Sequence, residues 1–88
     1  MPGIEAVWNR VEAHAGETFH QIRGGEFTYE VAGGHVLPDR VNQQIPMSHF
    51  EEALAYVPLR NTVPVQPLRG PSFIFAILMD RRIPQTDW

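Results

Sequence analysis

The chain contains no cysteine and no lysine. Without cysteine there is no disulfide framework, thiolate zinc site or cysteine nucleophile, and a cytoplasmic location is the expectation that follows. No apolar run approaches the roughly 20 residues that a bilayer-spanning helix needs. The opening Met1-Pro2-Gly3-Ile4-Glu5 lacks the basic start and apolar stretch of a secretion signal, so a soluble protein with no membrane partner is expected. The four histidines, His14, His20, His35 and His49, match neither HExxH nor metal-finger spacing. No metal and no cofactor is therefore expected. The pairs Gly24-Gly25 and Gly33-Gly34 lack the following helix of a phosphate loop, and no GxSxG surrounds Ser48 or Ser72.

What is present fits one small folding unit. At 88 residues, 43% of them hydrophobic, the chain is long enough for a single modest core, and residues 1–88 read as one domain. All seven cations are arginines, and the net charge is −3. That balance disfavours a strong non-specific polyanion binder. Arginine is nonetheless the side chain that grips phosphate, guanine or carboxylate with a planar fork.

The chain is organised around Gly70–Ile83, the one place where seven consecutive residues, Phe73–Met79, are all apolar. Pro71 suits the first position of a helix, Gly70 or Ser72 suits its cap, and Arg81 and Arg82 suit its last turn. A strand is the competing reading, because so short an apolar run does not reveal its period. At the other end, Ile4, Val7, Trp8, Val11 and Ala15 recur at helical spacing and predict an amphipathic helix over 3–15 that stops at Gly16 and buries Trp8.

The two Gly-Gly pairs predict tight turns and hence a three-stranded antiparallel meander over 17–23, 26–32 and 35–40. Two-residue turns set Ile22 opposite Phe27, His20 opposite Tyr29, Val31 opposite Val36 and Tyr29 opposite Pro38. The predicted core face is then Ile22, Phe27, His20, Tyr29, Val31 and Val36, while Phe19, Glu30 and Leu37 share the outer face. Pro38 places the third strand at an edge. Residues 39–46 form a polar connection, and Ser48-His49-Phe50-Glu51 matches a capping box at the start of a helix over 49–57 that Pro58 ends. Four prolines make 58–71 an extended, ordered segment. The expected architecture is α+β: an N-terminal helix, the meander, and two C-terminal helices packed on one sheet face, with 84–88 as a tail.

No motif in the chain fixes an activity, so function is weighed from residue types. Arg40, Asn42, Gln43 and Gln44 make forked contacts with base edges in nucleic-acid complexes, and they lie on an exposed connection just before a helix start. Arg60 and Arg69 flank the proline segment, where they suit phosphates. A small non-enzymatic protein that binds DNA or RNA is the leading expectation. A protein-interaction module, antitoxin-like subunit or homodimer using Phe19, Leu37 and a free sheet edge is the second. The third is a metal-independent nuclease in which His20 and Tyr29 exchange protons while Arg40 holds phosphate; the plain alternative is a rim histidine bonded to a tyrosine hydroxyl.

Overall fold

The computed structural model describes residues 3–84; the expected tail at 84–88, apart from Pro84, lies outside them. The element order is mixed α+β, with a helix first, antiparallel sheets in the middle and helices last. Helix α1 (Ile4–Ala13) turns Val7, Trp8 and Val11 inward and leaves Glu5 and Glu12 exposed, as its periodicity dictates. Trp8 meets Phe50 edge to face at 5.6 Å between ring centroids, so it anchors the core.

The strands form two sheets. β1 (Phe19–His20) pairs with β2 (Glu26–Phe27), and β3 (Tyr29–Ala32), β4 (His35–Pro38) and β5 (Ile45–Pro46) form a second sheet in that order. The β3–β4 hairpin has the expected register, with Tyr29 opposite Pro38, Glu30 opposite Leu37 and Val31 opposite Val36. The β1–β2 hairpin does not. Phe19 stands opposite Phe27 and His20 opposite Glu26, across a connection from Gln21 to Gly25. Aromatic packing accounts for the difference: Phe19 is fully buried, 6.1 Å from Phe27 and 5.2 Å from Tyr29 between ring centroids. Ile22, expected in the core, is 51% exposed instead. The inward alternation of Phe27 and Tyr29 continues through Thr28, where the chain changes partner, and Asp39 Oδ1 accepts the Thr28 N–H at 2.9 Å.

β4 lies centrally, contrary to the edge position that Pro38 implied. β5, drawn from the predicted polar connection, pairs only with His35 and Val36, so the missing Pro38 donor faces no strand on that side. β5 also displaces the capping box. Helix α2 (Met47–Ala53) begins directly after β5 with Pro46 in the cap position, and the Met47 N–H donates to the Gly34 carbonyl at 2.9 Å. Ser48 and Glu51 are thus exposed helical residues and not cap partners. A 3₁₀ turn at Leu54–Tyr56 ends this element before Pro58.

Within 58–71, Leu59 and Val65 are buried and Val63–Val65 forms a 3₁₀ turn. Helix α3 (Pro71–Leu78) follows, with Pro71 in its first turn and five of its eight residues buried. Gly70 starts it at φ +61°, and a Cβ there would lie 2.7 Å from Ile45 Cδ1, so both backbone angle and space require glycine. The helix stops at Leu78, so Arg81 and Arg82 lie beyond its last turn. Arg82 reaches back instead: its guanidinium donates to Asp80, Glu17 and the Thr18 carbonyl at 2.8–2.9 Å. It also sits 3.8 Å over the Phe19 ring. Among the described residues, 19 buried hydrophobic side chains from Val7 to Ile83 form one core.

Candidate nucleic-acid interface

Three connections converge on the start of α3. From the first, Gln21 Nε2 donates to Ser72 Oγ at 3.0 Å. Beside it, Arg40 Nη1 donates to the Glu26 carbonyl at 3.3 Å. A Cβ on Gly25 would lie 2.8 Å from both Arg40 Nη1 and Gln21 Oε1, so the bare backbone at 25 admits both side chains. The second connection carries Gln43, whose carboxamide oxygen lies near Gly70, and Gln44, whose carbonyl accepts from Arg69 Nη1 at 3.3 Å. The third ends at Arg69. Its backbone N–H donates to His49 Nδ1 at 3.0 Å, which makes that nitrogen the acceptor and leaves the ring proton on Nε2.

Arg40, Gln43, Gln44 and Arg69, expected as contacts from sequence, thus form a band around one helix start. Asn42 is exposed on the same loop. Arg60 is exposed but takes no part in these bonds. Gln21, His49 and Ser72 complete the band and were not among the expected contacts. Ser72 read as a helix cap, and no local pattern links positions 21 and 72.

The charge around the band is more favourable than the net −3 suggests. α3 carries no charged residue, and its N-terminus adds the partial positive charge of a helix start. Two acids beside the band are occupied: Glu26 faces His20 at 3.0 Å and Asp39 holds the Thr28 N–H. Glu5, Glu12, Glu51 and Glu52 are exposed on α1 and α2.

The proposed acid–base trio is not assembled. His20 pairs with Glu26, whereas Tyr29 is buried and donates its hydroxyl to the Val11 carbonyl at 2.6 Å. Burial pushes the Tyr29 pKa up, which removes it from proton exchange at ordinary pH. The expected partner patch also changes. Phe19 lies in the core, because it fills the place that the expected register gave to Ile22, and Leu37 is half-buried opposite Glu30. At the opposite end of α3, the hydrogen bond from Arg82 holds the Asp80 carboxyl below its ordinary range. His14, and then Arg82, do the same for Glu17. These groups serve to fasten the C-terminal segment to the start of β1.

Among the described residues no group of three or more His, Asp or Glu side chains is placed to hold a metal ion, and no helix is long and apolar enough to cross a membrane. The chain matches no family model, curated protein or solved structure.

Proposed function

We propose that this chain is a small non-enzymatic nucleic-acid-binding protein of the cytoplasm. The observation that carries the reading is the band itself: Arg40 and Arg69, far apart in sequence, are both tethered through backbone carbonyls around the start of α3, with Gln43 and Gln44 on the intervening loop. In each tether one guanidinium nitrogen is used, and the fork has further donors for phosphate oxygens. The exposed carboxamides of Asn42, Gln43 and Gln44 supply the paired donor and acceptor that adenine edges require. Gly70 and Pro71 fix the start of α3, so the helix end of the band needs little ordering on binding.

The alternative of a protein-interaction module has lost Phe19 as a contact residue, and the nuclease has lost Tyr29. Fluorescence anisotropy with labelled DNA and RNA over a salt series tests the proposal. Binding should weaken linearly in log affinity against log salt, and Arg40→Ala with Arg69→Ala should reduce the slope by about one per lost phosphate contact. Both guanidinium groups are exposed, so the double variant should keep its unfolding midpoint. An affinity unaffected by the double change would refute this use of the band.

A further inference from the structure

One face of α3 is only partly covered: Ser72, Phe75 and Met79 are half-buried, and Ala76 between them is buried. Ser72, Phe75, Ala76 and Met79 follow the i, i+3, i+4, i+7 spacing that puts side chains on one helix face. Two depressions lie along that face. One, of about 320 Å³, is formed by Ser72 with Gln21, Ile22, Arg23 and Thr62. The other, of about 430 Å³, is formed by Phe75, Ala76 and Met79 with His20, Asp80, Arg81 and Arg82. The neighbours His20 and Gln21 line different depressions, so the two lie side by side along α3 as the two parts of one grooved face.

Each depression carries cations, and Phe75 supplies an aromatic surface to the one beside Arg81. Arg23 is exposed at one end, where Arg40 also lies across Gly25 beside Gln21. Arg81 is exposed at the other, next to Arg82. The only acid lining either depression is Asp80, and Arg82 occupies both of its oxygens. Glu26 stands beside the rim and is engaged by His20. From Ser72 to Met79 the helix rises roughly 10 Å at 1.5 Å per residue. That matches about three nucleotides at the stacked spacing of a single strand.

We infer that this groove takes a short unpaired stretch of nucleic acid, with a base against Phe75 and backbone phosphates at Arg23 and Arg81. The inference rests on the reading that the Arg40–Arg69 band binds nucleic acid, and it adds the class of strand. Aromatic and arginine surfaces of this kind collect single strands, because unpaired bases offer their faces to a side chain whereas paired bases are already stacked. The band and the groove share Gln21 and Ser72, so one strand can run from the band into the groove.

The test is competition anisotropy at low salt with a labelled eight-nucleotide oligothymidylate, an eight-nucleotide oligouridylate and a GC-rich duplex of the same length. Single strands should bind at least about tenfold tighter than the duplex. Phe75→Leu, which keeps an apolar side chain on the core, should weaken strand binding by about fivefold or more, the range of one lost base stack. Arg81→Ala should weaken strand binding and leave duplex binding unchanged. If Phe75→Leu lowers the urea midpoint, Arg81→Ala decides alone. Duplex binding as tight as strand binding, or strand affinity unchanged in the deciding variant, overturns the groove and leaves the band standing, provided that Arg40→Ala and Arg69→Ala still weaken binding. No binding to any of the three oligonucleotides overturns both.

Discussion

The β3–β4 hairpin closes on Gly33 and Gly34, both at positive φ (+57° and +75°), with Ala32 opposite His35. The β1–β2 hairpin also contains a glycine pair, yet only Gly24 is at positive φ, and the turn spans Gln21–Gly25 with the Gln21 N–H donating to the Gly25 carbonyl at 2.7 Å. The same dipeptide closes a tight turn in one place and ends a wider one in the other. In the second hairpin, turn chemistry and burial agree, since Val36 goes inward in the register that the turn selects. In the first they conflict. A two-residue turn would have buried Ile22 and turned Phe19 outward, whereas the observed register gives Phe19 to a cluster with Phe27 and Tyr29 and to the guanidinium of Arg82. Tertiary packing wins where it has more aromatic surface to bury than the turn has preference to express.

The largest test of that contrast is at the two positions whose roles were exchanged. Phe19→Ala should lower stability by about 3–5 kcal/mol, the range for truncating a buried aromatic. Ile22→Ala, at an exposed site, should stay within about 0.5 kcal/mol. Urea unfolding of the two variants measures both, and the opposite ranking would restore the two-residue turn.

The turns themselves come next. Gly34→Ala should cost about 1–2 kcal/mol, because an L side chain is strained at its positive φ. Gly25 has no positive φ, and its added Cβ would meet only the far ends of the Arg40 and Gln21 side chains, which can shift. Gly25→Ala should therefore stay within about 0.5 kcal/mol. Equal costs at 25 and 34 would mean that the two turns are alike in solution.

The smallest effect concerns the clamp that holds the first hairpin from outside. Asp80 and Glu17 have folded pKa values below their ordinary 3.8 and 4.5, so the unfolded chain binds their protons first as pH falls. Their contribution is complete above the ordinary values and is lost on acidification below them. The urea midpoint of the wild type should thus fall as pH drops below about 4, more steeply than that of Arg82→Gln, which has no guanidinium to hold either carboxylate. Parallel curves for the two proteins between pH 6 and 3 would show that the clamp does not contribute.

Much of the architecture could be read from particular residues. Ile4, Val7, Trp8 and Val11 specify α1 by spacing alone, and Gly33-Gly34 specifies the β3–β4 register by turn chemistry alone. Gly70-Pro71 marked where the last element starts, while the apolar run after it left helix and strand both open. These signals are local, and nothing distant opposes them. Of the candidate site, the 39–44 loop and Arg69 were legible by residue type, but their meeting around Gly70 was not, because it depends on three connections converging in space.

By itself, then, the sequence determined α1, the tight second hairpin, the mixed α+β class and the single apolar core. Each follows from periodicity or backbone preference within a few residues. Only the tertiary structure decided which aromatic of the first hairpin is buried, that Ile45-Pro46 becomes a strand and silences the Ser48 cap, and that Arg82 closes over Phe19. Those outcomes depend on partners far away in sequence, and the free energy of burying a side chain belongs to the pair that meets and not to either residue alone.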